Sequence, residues 1–246
     1  RGADLPYAHE AGDEDFRGLL ARYLERYFGL SLAPGSLFVG PERSATLYSI
    51  LLATCDVGDS VLISRSLHPV YADALAKAGV VHTLVHDTLE EIRRLLEAFT
   101  PRVVVLSVAP QERTNLAVLK DIVAEAARRG ILVVVDESEH FRITGEVESR
   151  TLFEFLARAK PEDNLVVLYG LIKNAVYPDL ELSLLLPVPP QLAADLEVAA
   201  EVTYSRVSTL AERFYAHTFS ELLSVSMSFG APTAAPHPRS TGASLP

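Results

Sequence analysis

The sequence predicts an α/β protein: an open, mostly parallel sheet of about seven strands with helices on both faces. Three observations carry this expectation. Residues 102–108 and 131–135 are near-continuous β-branched runs, the composition of strands buried on both faces. Between them, residues 116–129 place apolar side chains at helical spacing and stop at Gly130, a residue favoured just past a helix end. Strand-like and helix-like segments then alternate along most of the chain, as crossover connections between parallel strands require. Sheets of this kind bind ligands at the carboxyl ends of their strands. Asp136, Pro110 and Tyr169 are expected at such ends.

The elements follow in order. Residues 12–29 read as an amphipathic helix, with Phe16, Leu19, Leu20, Tyr23, Leu24 and Tyr27 on one face and an acidic start that complements the helix dipole. A short strand is expected at 36–40 and a helix at 42–54. Residues 60–64 form a strand, 69–78 a helix and 80–85 another strand. Thr88 then opens a helix, and Glu91 three residues on suggests a capping box. Two further apolar strands are expected at 165–168 and 182–186. Only 13 residues separate them, too few for a crossover helix, so the second is expected to run antiparallel. Pro189 and Pro190 start a helical stretch that reads as continuous to about Val225. The large unit is expected to span 1–229. Residues 230–246, rich in Pro, Ala, Ser and Thr, read as a disordered tail.

Composition narrows the function classes. With 246 residues and 49% apolar content the chain can bury a sizeable core. A net charge of −10 argues against a nucleic-acid or anionic-membrane partner. Cys55 is the only cysteine, which excludes a disulfide framework and points to a reducing, cytoplasmic setting. No apolar run reaches the roughly 20 residues of a membrane-spanning helix. The chain starts at Arg1 and its only methionine is Met227, so the expectation is a piece of a longer polypeptide linked to another domain.

The chemistry-bearing pattern is an acid at the end of one strand, Asp136, and a lysine, Lys173, 37 residues later and just past the end of another. That layout suits a pyridoxal-phosphate site, in which the lysine forms the Schiff base and the acid keeps the ring nitrogen protonated. Around it, residues 7–186 resemble the large domain of the class I/II aminotransferases, the fold-type-I pyridoxal-phosphate enzymes. Tyr7, Gly12, Phe16 and Arg17 resemble that family's opening pattern. Gly40-Pro41-Glu42-Arg43-Ser44-Ala45 sits where the family has a glycine turn and a helix start that cups the cofactor phosphate. Gly58-Asp59-Ser60-Val61 resembles its Gly-Asp-x-Val, and His68-Pro69-Val70-Tyr71 its Tyr-Pro-x-Tyr.

The resemblance implies roles for particular positions, and several carry unsuitable residues. Asp136 matches the partner of the ring nitrogen and Lys173 the covalent lysine, with Gly40, Arg43, Ser44 and Tyr7 at phosphate positions. Glu112 stands where the family's asparagine bonds the phenolic oxygen, and Glu139 stands at a tyrosine position. His68 takes the place of the stacking aromatic. Gly170 replaces a phosphate-binding serine, and Glu181 the arginine that neutralises the phosphate. Two unit charges about 4 Å apart interact by about 4 kcal/mol at an effective dielectric of 20, so exchanging Arg for Glu reverses a contribution of that size. The family's small domain after the large one is also expected to be absent.

The sequence therefore leads to a degenerate aminotransferase-like domain with no bound cofactor, a regulatory or oligomerisation module of a larger enzyme. The segment 170–181 resembles the aminotransferase-like domain appended to methionine S-methyltransferases. One alternative is an active pyridoxal-phosphate aminotransferase or lyase using Lys173. Another is a module that binds a cationic amino acid among Glu112, Glu139 and Glu181. A homodimer is expected from the family and from the stripe Leu192, Leu196, Ala199 and Val202, flanked by Val198. His82 and His86, four apart in a strand, read as structural rather than as a metal pair.

Overall fold

The computed structural model describes residues 9–86, 88–107, 116–136, 164–171 and 180–224. The sheet has seven strands: β1 (Phe38–Gly40), β2 (Ser60–Ser64), β3 (Val81–Val85), β4 (Val103–Ser107), β5 (Leu132–Asp136), β6 (Leu165–Leu171) and β7 (Leu182–Leu186). Their order is β1-β7-β6-β5-β4-β2-β3. The pairs β2–β3, β2–β4, β4–β5 and β5–β6 are parallel, whereas β7 runs antiparallel to both β6 and β1. The short connection before β7 thus has the consequence expected of it. β6 is longer than its apolar run suggested, so Tyr169 and Gly170 lie inside the strand rather than at its end.

Seven α-helices occur among the described residues: α1 (Glu14–Phe28), α2 (Arg43–Thr54), α3 (His68–Ala78), α4 (Leu89–Ala98), α5 (Leu116–Arg128), α6 (Pro190–Thr203) and α7 (Thr209–Ser224). Side-chain alternation along the strands builds two cores. Val104, Leu106, Val133, Val135, Val167 and Leu184 face α1, α4, α5 and α7, while Val103, Val105, Val134, Val166, Leu168 and Leu185 face α2, α3 and α6. Residues buried on both sides leave no polar face, which is why these strands read as unbroken apolar runs. Each fully buried aliphatic side chain contributes about 1.5–3 kcal/mol relative to exposure. The rows together hold the sheet independently of any group at its rim.

Two local expectations need correction. Thr88 is the N-cap of α4, but its side chain makes no capping bond; Glu91 instead accepts the His86 N–H at 3.0 Å, two residues upstream of the cap. The chain arrives at α4 through a tight turn (Thr88 N–H to His86 C=O, 2.7 Å), which brings the His86 amide into the reach of Glu91. The helical stretch after Pro189 is two helices, not one. Ser205 takes the left-handed conformation (φ 63°) and Ser208 starts α7 afresh, its Oγ accepting from Ala211 N–H. The reason is tertiary: α6 packs on the α2 side of the sheet and α7 on the α1 side, so the chain must pass from one face to the other.

The start of α1 shows a capping box completed at long range. Asp13 caps the helix by accepting from Phe16 N–H at 2.9 Å. The Asp13 N–H, which a Glu at the third helical position ordinarily takes, donates instead to Oε1 of Glu212 in α7 at 2.8 Å. Burial raises the Glu212 carboxyl above the usual carboxylate range; the Asp13 amide bond opposes this, the Asp13 charge adds to it, and Arg17 opposes it. The proposed tail, residues 230–246, lies outside the described residues, as does Pro110.

Candidate functional site

The carboxyl edge of the sheet, on the α2–α3 side, is built in two parts. The first is at β5. Alternation with Leu132 and Val134 turns its last residue, Asp136, to that side, where it is buried with 4% of its surface exposed. The α3 helix begins directly after β2 and brings Tyr71 over the strand ends; the Tyr71 hydroxyl donates to Asp136 Oδ2 at 2.5 Å. A carboxylate buried this deeply needs such a donor, because an uncompensated buried charge costs several kcal/mol. Beside it, Ser64 Oγ accepts the Ser107 N–H at 2.9 Å, tying the ends of β2 and β4 together.

The second part adjoins it on β6, β7 and β1, where register aligns Gly40 of β1, Ser183 of β7 and Gly170 of β6 in one row. Thr46 from the first turn of α2 reaches this row, its Oγ1 lying 2.5 Å from Ser183 Oγ in a fully buried hydrogen bond. A Cβ on Gly40 would stand 1.9 Å from Thr46 Oγ1 and 2.8 Å from Ser183 Oγ, so only glycine fits there. Glu42 is the N-cap of α2 but makes no side-chain capping bond. The amides of Arg43, Ser44 and Ala45 have no intrahelical acceptors and form the positive end of the helix dipole. Glu181 precedes β7, two residues from Ser183. Tyr215 of α7 has its hydroxyl pKa raised by burial and further by the Glu181 charge.

His68 does not lie beside Asp136. It starts α3 and meets His82 of β3, with their Nε2 atoms 3.1 Å apart and the rings stacked. Tyr71, one turn on, is the α3 residue that touches the acid. Four other positions singled out from the sequence, Tyr7, Glu112, Glu139 and Lys173, lie outside the described residues. Three features escaped sequence reasoning: the Tyr71–Asp136 bond, the Thr46–Ser183 bond and the His68–His82 contact. Partners 65 and 137 residues apart leave no periodic signal. Tyr71 stood out in the sequence only as the last residue of His68-Pro69-Val70-Tyr71, with no partner assigned to it. Among the described residues no helix is long and apolar enough to cross a membrane.

No family model matches the chain. In sequence it is similar to the methionine S-methyltransferase of Hordeum vulgare, at 26% identity over 231 residues, covering 89% of this chain and 21% of that protein. It is likewise similar to the methionine S-methyltransferase of Zea mays, at 26% over 234 residues. The chain thus spans about a fifth of the length of these relatives. In structure it is similar to the Escherichia coli protein YbdL, for which a methionine aminotransferase function has been identified. That superposition has a TM-score of 0.69 at 19% identity and covers 87% of this chain and 58% of YbdL. The chain therefore has the fold of the aminotransferase large domain and is similar in sequence to one part of the methionine S-methyltransferases.

Proposed function

We propose that this chain is an aminotransferase-like module with a degenerate pyridoxal-phosphate site, acting without catalysis as a regulatory or oligomerisation domain of a larger enzyme of the methionine S-methyltransferase kind. The observation that carries this reading is the row Gly40–Ser183–Gly170 with Glu181 two residues away. The nitrogen end of a pyridoxal site fits Asp136, buried and held by Tyr71. The phosphate end does not fit: Gly170 offers no hydroxyl, and Glu181 brings a negative charge to the neighbourhood of a dianion. At an effective dielectric of 20 that charge costs about 4 kcal/mol per unit charge at 4 Å. The amide cluster at the start of α2 offsets part of this repulsion, since a helix N-terminus attracts anions by up to about 2 kcal/mol.

A match to about a fifth of the methionine S-methyltransferases supports a place beside another domain. Methyl transfer would belong to that other domain. The two-fold association expected of the family is part of the same reading. Leu192, Leu196 and Ala199 of the expected stripe are buried within this chain, which leaves Val198 and Val202, both exposed on α6, as its apolar surface. Sedimentation of the chain at micromolar concentration is expected to give a dimer.

The Tyr71–Asp136 pair favours one competing reading, an active pyridoxal-phosphate enzyme using Lys173, because a nitrogen-end acid has been kept in place. Mixing the purified chain with excess pyridoxal phosphate and recording its absorption separates the two. The degenerate reading expects no protein-bound visible band. A band that is lost on Lys173→Ala overturns it and establishes the enzyme reading.

A further inference from the structure

Two histidines 14 residues apart in sequence meet beside β3, the last strand of the sheet among the described residues. His68 is the first residue of α3, and His82 lies in β3, the terminal strand. Their Nε2 atoms are 3.1 Å apart, and the rings stack with centroids 5.0 Å apart at an interplanar angle of 30°. His82 is exposed and His68 partly so, which leaves the pair open to small solutes.

We propose that His68 and His82 form a two-imidazole clip for a divalent transition-metal cation of the copper and zinc class. Imidazole nitrogens bind such ions at about 2.0–2.1 Å. Two ligands at that distance, separated by an angle between the octahedral and tetrahedral values, are about 2.9–3.4 Å apart. The observed 3.1 Å lies within this bite. Nitrogen donors of this type select copper, nickel and zinc over magnesium and calcium, which prefer oxygen. Among the described residues no third His, Cys, Asp or Glu completes a cluster, so water fills the remaining positions and the clip is an open one. A bound ion would tie the N-terminus of α3 to the edge strand, one helical turn from the tyrosine that holds Asp136.

A hydrogen bond between two neutral imidazoles gives the same separation, so the test must distinguish binding from contact. The whole chain is titrated with Cu2+ and followed by calorimetry and electron paramagnetic resonance, alongside His68→Ala, His82→Ala and His86→Ala. Circular dichroism checks that each variant is folded. The clip predicts one equivalent of Cu2+ with nitrogen hyperfine splitting, competition by Zn2+ but not Mg2+, and unchanged binding in His86→Ala. Each of His68→Ala and His82→Ala should bind roughly tenfold or more weakly. Equal binding by the parent chain and by folded His68→Ala and His82→Ala overturns the proposal, as does a parent chain that binds no Cu2+.

Discussion

The two parts of the carboxyl edge meet different physical demands. At β5 a charged group is buried, and its environment is specific: Asp136 sits in an apolar surround with the Tyr71 hydroxyl pointed at it. At β1, β7 and β6 the edge is small and neutral, packed so closely that Gly40 admits no side chain, with the Thr46–Ser183 bond sealed beneath it. Among the described residues, charge stands at the margin of this second part, at Glu42 and Arg43 where α2 begins and at Glu181 ahead of β7. The contrast shows how a fold and a site can separate. The apolar rows that hold the sheet do not depend on rim residues, so the charge at one end of a crevice can change while the architecture stays intact.

Five measurements probe this contrast, from the largest expected effect to the smallest. Gly40→Val should destabilise the chain by about 3 kcal/mol in urea unfolding, because the added atoms meet Thr46 and Ser183 in a packed row. A loss within experimental error would mean that the neutral end is loosely built. Tyr71→Phe should cost about 2 kcal/mol, the value of a hydrogen bond to a charged group. Asp136→Asn in the same background should recover part of that loss; no recovery would show that the carboxylate charge is not what Tyr71 stabilises.

Glu181→Arg restores a cation at the margin of the neutral end. Pyridoxal phosphate should then bind about tenfold more tightly, about 1.4 kcal/mol, as read by fluorescence titration. Unchanged affinity would remove Glu181 from the explanation of the degenerate site.

The fourth measurement is a pH series on Glu212→Gln. Burial raises this carboxyl in the folded chain, so its contribution to stability is complete at pH values below the unfolded pKa and is lost as pH rises through the folded one. Glutamine keeps an acceptor for the Asp13 amide and never ionises. The variant should therefore gain stability over the parent as pH rises from about 4 to about 7, and the two should converge in acid. A constant difference across that range would contradict the assignment. Thr88→Ala should cost the least, within about 0.5 kcal/mol, because the hydroxyl makes no capping bond. A loss nearer 1 kcal/mol would mean the capping box forms after all.

The sequence by itself determined the places of the strands along the chain, the helices ahead of Pro189 and the direction of β7. Each is written in local quantities: β-branched runs, helical spacing, a closing glycine and a connection too short for a crossover. The helix end at Gly130 was legible for the same reason, and Gly130, like Gly29 and Gly79, takes a positive φ just after a helix. Of the candidate site, the strand-end acid was legible, because a charge terminating an apolar run stands out in any register.

What only the tertiary structure decided involves partners far apart in the chain. The break between α6 and α7 is required by the passage of the chain from one face of the sheet to the other, which helical spacing does not record. Glu91 was expected to serve Thr88 and serves His86, because the angle of entry into α4 is set by the turn before it. His82 was weighed against His86, which falls just past the end of β3, but it is His68 on the adjoining helix that it meets. Tyr71 finds Asp136, and Glu212 caps α1 from 199 residues away. Local spacing specifies which face a side chain occupies, and the packing of helices on the sheet specifies what that face touches.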